Sequence, residues 1–73
     1  MKVKEAVKLR TFDLLMFNHE EPAEEMLRVI VSDGINVKVT RALKPTSGAW
    51  VDCSFLVRPS NKQMQEFLKL SGS

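Results

Sequence analysis

The hydrophobic and polar positions alternate most clearly between residues 35 and 58. A first run, Ile35 to Val39, has a period of two, and the same period recurs from Val51 to Val57. This period is typical of strands with one buried face. Between the runs, Pro45 fixes a turn dihedral and Gly48 permits a positive φ, so the chain can reverse there. We therefore predict an antiparallel pair of strands.

The predicted pair has a core face and an outward face. The core face comprises Ile35, Val37, Val39, Val51, Cys53, Phe55 and Val57. The outward face comprises Lys38, Thr40, Trp50, Asp52, Ser54, Leu56 and Arg58. Trp50 and Leu56 are apolar residues on an otherwise polar face, which indicates that this face is covered or used for binding.

The N-terminal segment, residues 2–17, changes phase in its middle. Val7 and Leu9 occupy odd positions, whereas Leu14 and Met16 occupy even ones. One extra residue near Arg10 would reconcile the two halves, because a β-bulge moves every later side chain to the other face. We predict a bulged strand here.

Residues 23–31 are compatible with two structures. Their apolar positions lie at helical spacing, and an acidic block at residues 20–25 would favourably oppose the positive N-terminus of a helix. The alternative is a strand that pairs with Ile35 to Val39 through a tight turn at Asp33 and Gly34, which the β-branched run Val29 to Val31 supports. We favour the helix.

The C-terminal segment contains a clear helix signal. Ser60 and Gln63 have the spacing of a capping box, and Met64, Phe67 and Leu68 form an apolar stripe. The pattern predicts a helix over residues 61–70 that packs on the hairpin near Val51 and Phe55, and residues 71–73 are interpreted as a frayed tail or a cloning remnant.

These elements predict one α+β domain over residues 1–73. It comprises a small antiparallel sheet with a C-terminal helix, in the order β-α-β-β-α. The alternative is a four-stranded β-meander followed by one helix.

Composition argues against several classes of protein but does not indicate a specific function. The 11 Lys and Arg residues against 9 Asp and Glu residues give a net charge of +2, which is small for a dedicated nucleic-acid binder. The single cysteine cannot close an internal disulfide, and no apolar run approaches the roughly 20 residues of a membrane-spanning helix. We therefore expect a cytoplasmic protein that has no membrane partner.

The chain contains few side chains that could act in catalysis or bind a metal. His19 is its only imidazole and is distant in sequence from Cys53, which is predicted to face inward. His19 with Glu20 and Glu24 lacks the second imidazole or thiolate of a typical transition-metal site. We predict no enzyme activity, no metal site and no cofactor.

Binding is the remaining function class. The first hypothesis is a protein-interaction module, a regulator or inhibitor that binds another protein or forms a homodimer, because Trp and Arg are common at the energetic centres of interfaces. Its predicted residues are Trp50, Leu56, Leu15, Phe17, Arg58 and Arg10. The alternative is a weak, sequence-tolerant binder of single-stranded nucleic acid, since open sheet faces use aromatic stacking and basic side chains for this purpose. Its residues would be Trp50, Lys8, Arg10, Lys38 and Arg58.

Overall fold

The computed structural model describes residues 1–72, within which an antiparallel sheet precedes a C-terminal helix. The strands lie side by side in chain order, so the predicted α+β class is confirmed in its β-meander form. The elements are α1 (Val3–Ala6), β1 (Leu14–Leu15), β2 (Leu27–Ser32), β3 (Asn36–Arg41), β4 (Ala49–Asp52) and α2 (Asn61–Gly72), with 3₁₀ turns at Ala23–Glu25 and Cys53–Phe55.

The favoured helix over residues 23–31 is wrong. Only Ala23–Glu25 is helical, as one 3₁₀ turn, and the β-branched run after it forms β2. Asp33 Oδ1 accepts hydrogen bonds from the backbone N–H groups of Ile35 (2.9 Å) and Asn36 (2.7 Å), and Gly34 has a φ of +95°. The β-branched side chains and this tight turn together outweigh the helical spacing of the apolar residues.

A β-bulge in β2 decides which side chains face outward. Val29 lies opposite Val39, but Val31 lies opposite Lys38, so Ile30 is an extra residue in the register. The bulge places Val31 on the face opposite to that of the buried Val29.

The core lies on the inner face of the sheet. Val37, Val39 and Cys53 are buried there, as the alternation predicted. The core cluster comprises Ala6, Leu15, Leu27, Val29, Val37, Val39, Cys53 and Leu56.

The predicted alternation fails after Cys53, where β4 has ended and a 3₁₀ turn follows. Asp52 Oδ1 accepts a hydrogen bond from the Ser54 backbone N–H at 2.8 Å, which caps this turn. The turn rotates the chain so that Phe55 is 66% exposed and Leu56 is fully buried. Ile35, predicted in the core, is 58% exposed because it belongs to the β2–β3 turn and not to a strand.

The predicted strand over residues 2–17 is wrong except at its end. Residues 3–6 form α1, and the regular strand ladder with β2 is limited to Leu14 and Leu15, although the backbones of Phe12 and Asp13 also hydrogen-bond to Val29. Met16 then forms an isolated bridge with Val57. Ala6 of this short helix is buried in the core cluster, so α1 covers part of the core.

The capping box of α2 is confirmed. The Ser60 N–H donates to Gln63 Oε1 (3.0 Å), and the Gln63 N–H donates to Ser60 Oγ (3.2 Å). Gln63 is buried, and its Nε2 also donates to the carbonyl oxygens of Asn18 (3.1 Å) and Glu21 (2.8 Å). These bonds fix α2 beside the loop before β2.

The predicted packing of α2 on Val51 and Phe55 is therefore wrong. The helix contacts the first 3₁₀ turn, and its Leu68 remains exposed. It also extends to Gly72, beyond the predicted end at Leu70, while Ser73 of the predicted tail lies outside the described residues.

Candidate functional site

One row of side chains crosses the outer face of the sheet from β2 to β4. Val31 lies opposite Lys38, and Lys38 lies opposite Trp50. Directly opposed residues of antiparallel strands share a face, and their Cβ atoms are about 4.5–5.5 Å apart. We call Val31, Lys38 and Trp50 the outer row.

The outer row is open to solvent. Val31 is 47% exposed and Trp50 is 53% exposed, although both are large and apolar. The loop after β3 covers the neighbouring Thr40, whose Oγ1 accepts a hydrogen bond from the Thr46 N–H at 2.7 Å. The row thus combines an exposed aromatic ring, an aliphatic side chain and a cation.

Gly48 brings this loop close to the face. Its φ is +88°, and a Cβ built on it would lie 2.7 Å from Ile30 Cδ1 and 3.1 Å from the Val39 carbonyl oxygen. A side chain at position 48 would therefore collide with Ile30, and the glycine lets the chain enter β4 directly beside the outer row.

Phe12 is an exposed aromatic residue outside the outer row, and the sequence pattern placed it within a strand. Its φ is +78°, a conformation that costs a non-glycine residue about 1–3 kcal/mol. The Arg28 guanidinium lies 5.4 Å from the centroid of its ring. Since Arg28 lies opposite Leu14 and Thr40, this pair is at the β1 side of the outer face. No signal in the sequence indicates a positive φ at a phenylalanine.

A groove adjoins Phe12 where the chain leaves Val57 and enters α2. Its volume is about 410 Å³, and it is lined by Phe12, Asp13, Leu14, Arg58, Pro59 and Met64. Arg58 Nη1 lies 3.8 Å from Asp13 Oδ2, and that oxygen also accepts a hydrogen bond from the Arg10 N–H at 2.8 Å. The groove therefore has apolar walls and a partly exposed ion pair.

The structure separates the residues predicted for protein binding. Leu15 and Leu56 are fully buried in the core, so they are removed from the predicted surface. Phe17 is exposed but follows β1, whereas Trp50 lies on β4 at the opposite side of the sheet. A change of phase in the sequence does not distinguish an exposed residue from one that the chain turns inward.

The basic residues predicted for nucleic-acid binding are also divided. Lys38 adjoins Trp50 in the outer row. Arg58 lies in the groove at the β1 side, where Arg10 bonds to Asp13 through its backbone. Lys8 is exposed just after α1. Of the predicted cations, only Lys38 is placed directly beside the tryptophan.

The reactive side chains are separated from one another. Cys53 is buried on the inner face. His19 Nε2 lies within hydrogen-bond distance (2.8 Å) of the Arg58 carbonyl oxygen. Within residues 1–72, no cluster of three or more His, Cys, Asp or Glu side chains could hold a metal ion. A search of the same residues finds no helix long and apolar enough to cross a membrane.

Comparisons with protein-family models, with curated proteins and with solved structures find no match.

Proposed function

We propose that this chain is a non-enzymatic interaction module that binds another protein through the outer row. The observation that carries the proposal is the exposure of Trp50 and Val31, which lie in one row on a sheet face with Lys38 between them. Tryptophan is among the residues most often found at the energetic centre of an interface.

The row also limits the chemistry of the partner. Lys38 stands between the two apolar side chains, so a bound surface must either pair with its charge or leave it at the rim. The best complement is an apolar side chain flanked by a carboxylate. Binding of this kind would occupy the partner's surface, as a cytoplasmic regulator or inhibitor does.

Trp50 makes the proposal directly testable, because it is the only tryptophan of the chain. A tagged copy should retain partner proteins from a lysate after nuclease treatment, and Trp50→Ala should lose them. Phe55→Ala is the matched control, since Phe55 is at least as exposed as Trp50 but follows β4 in the 3₁₀ turn. Equal retention by the wild type and Trp50→Ala would contradict the proposal.

A second candidate function is the binding of single-stranded nucleic acid. The observation that favours it is Phe12, which gives the outer face a second exposed ring, with Arg28 and Lys38 on the same face. Bases stack on such rings while cations contact phosphates. The small net charge and the aliphatic Val31 make this the weaker candidate.

A salt titration distinguishes the two functions. Phosphate contacts release counterions, so oligonucleotide binding should weaken steeply between low and physiological salt. The readout is the fluorescence of Trp50, and Lys38→Glu should abolish the signal. If oligonucleotides leave the emission unchanged at low salt, the second candidate is eliminated.

A further inference from the structure

The free edge of β4 is the least protected part of the sheet. At the other edge, β1 is followed by the Met16–Val57 bridge, in which the two residues exchange backbone hydrogen bonds of 2.9 and 2.8 Å. On β4, β3 occupies one side, and no strand within residues 1–72 pairs with the other. Ala49, Trp50 and Asp52 are all exposed and Val51 is half-buried.

The hydrogen bonding of β4 shows which backbone groups point away from β3. The Cys53 N–H donates to the Ile35 carbonyl oxygen at 2.9 Å, just beyond the end of β4. In antiparallel pairs, alternate residues exchange hydrogen bonds with the facing strand. Val51 and Ala49 therefore bond to β3, and the N–H and C=O groups of Trp50 and Asp52 point toward the free edge.

We propose that this edge pairs with the same edge of a second copy of the chain. In an antiparallel arrangement, Trp50 would lie opposite Asp52 of the partner subunit, with the two-fold axis beside Val51. The backbone groups of Trp50 and Asp52 that point to the free edge are then paired in both copies, which gives roughly four intermolecular hydrogen bonds. The sheet continues across the axis, and the outer row of each copy stays on the same face.

The limits of β4 select this register. Placing Trp50 opposite its own copy would pair Asp52 with Gly48, whose φ of +88° lies outside the strand. Placing Asp52 opposite its own copy would bring two carboxylates together, which is destabilising. The proposed register instead gives each tryptophan unlike charges as neighbours, Lys38 on one side and a carboxylate on the other.

Two further features favour a second copy over an unrelated strand. Residues 49–52 contain no proline or lysine, and no bulge interrupts their pairing with β3, so three of the usual devices against edge pairing are missing from β4. Asp52 lies in the same short strand as Trp50 and supplies a charge opposite to that of Lys38 on β3. In a two-fold contact the same edge of each copy faces the other, so both features are present on each side of the interface.

Asp52→Pro tests the proposed dimer. The φ of Asp52 is −61°, close to the value that proline imposes, and its N–H points away from β3, so the ladder within one copy is retained. Asp52→Ala is the matched control, because it also loses the hydrogen bond to the Ser54 N–H but keeps its own N–H. Sedimentation over a range of concentrations should show dimers for the wild type and Asp52→Ala, and monomers for Asp52→Pro.

Two results would overturn the proposal: a wild type that stays monomeric at millimolar concentration, or an Asp52→Pro variant that keeps the mass of a dimer. If the monomeric Asp52→Pro variant still binds partner proteins, partner binding does not require the dimer, and the two proposals stand independently. An unrelated strand on this edge would give a heterologous complex in place of the symmetric dimer.

A cross-linking experiment keeps the register testable if Asp52→Pro does not fold. In a Cys53→Ala background, Val51→Cys places one thiol beside the two-fold axis, where paired Cα atoms are about 4.5 Å apart. Ala49→Cys is the control, because its copy would be roughly 14 Å away. A thiol oxidant should produce covalent dimers from Val51→Cys only; equal cross-linking of both variants, or of neither, would contradict the register.

Discussion

The two faces of the sheet carry similar apolar side chains but differ in what covers them. On the inner face, the core residues of β2 and β3 pack under α1 and the segment that contains Leu56. On the outer face, Val31 and Trp50 lie on strands of the same sheet, yet both remain exposed. The difference indicates that inner-face residues stabilise the fold, whereas outer-row residues are available for binding.

Leu56→Ala should produce the largest effect and would sharpen this contrast. Leu56 is fully buried, and removing a buried leucine side chain costs about 2–5 kcal/mol. A chain of this size has a stability of only a few kcal/mol, so most of the protein should unfold. Urea denaturation followed by circular dichroism measures the loss.

The neighbouring Phe55 provides the control for Leu56. Phe55→Ala removes a larger but exposed side chain, and its free energy of unfolding should change by no more than about 0.5 kcal/mol. The alternation in the sequence predicts the opposite order. Equal losses in the two variants would show that the 3₁₀ turn does not decide which residue enters the core.

Gly48→Ala should produce the next largest effect, on the outer face. The positive φ alone costs a residue with a side chain about 1–3 kcal/mol, and the new Cβ would also press on Ile30 and on the backbone of Val39. Gly72→Ala is the control, because no atom outside its own helical turn and chain neighbours lies within 4 Å of the new Cβ, and alanine favours a helix. If both variants unfold at the same urea concentration, the contact between the loop and Ile30 does not constrain the outer face.

The elements that could be predicted from the sequence are those with strictly local causes. The capping box of α2 depends on Ser60 and Gln63 alone, and both hydrogen bonds form as predicted. The inward positions of Val37 and Val39 follow from a period of two within one unbroken strand. In both cases the pattern needed no information about distant parts of the chain.

The incorrect predictions concern places where the period changes. The bulge at Ile30 and the 3₁₀ turn after Asp52 each alter the phase of the following residues. Neither leaves a distinct mark in the residue types, so Phe55 was predicted in the core and Leu56 on the surface. The bulge also exposes Val31, which is the main addition to the site.

The candidate site could be predicted only in part. Trp50 and Lys38 were predicted on one face, and the register confirms it. Phe12 was missed as a surface residue because its exposure depends on a backbone φ that L-residues rarely adopt. Leu15 was assigned to the surface from phase alone, and only the packing of β1 on the core shows that it is buried.

Two carboxylates at the end of the sheet should make stability weakly dependent on pH. Hydrogen bonds from the backbone N–H groups of Asn36 and Ile35 lower the pKa of Asp33, and those from the Ser54 backbone and side chain lower the pKa of Asp52. A lowered folded-state pKa adds stability above the unfolded-state pKa, and this stability is lost as the pH falls through the folded-state value.

The loss should therefore occur below about pH 4, and it should be small because both carboxylates are exposed to solvent. Thermal unfolding measured between neutral and acidic pH tests it, with Asp33→Asn and Asp52→Asn each expected to flatten the curve. A curve that keeps its slope in both variants would assign the acid sensitivity to other groups.

Trp50→Ala should have the smallest effect on stability, and it is the most direct test of the difference between the faces. Its free energy of unfolding should change by less than about 0.5 kcal/mol, because the ring is 53% exposed and lies on the uncovered outer face. Val37→Ala is the inner-face control, because Val37 is fully buried on the adjacent strand. Its truncation should cost roughly 1–2 kcal/mol.

Circular dichroism must be the readout, as Trp50→Ala removes the only tryptophan. The measurement should be made at low protein concentration, because association stabilises the folded state by mass action. A loss at Trp50 as large as that at Val37 would mean that the ring supports the fold of the monomer. In that case its exposure could no longer be taken as evidence for binding, and the outer row would be a second, shallower core.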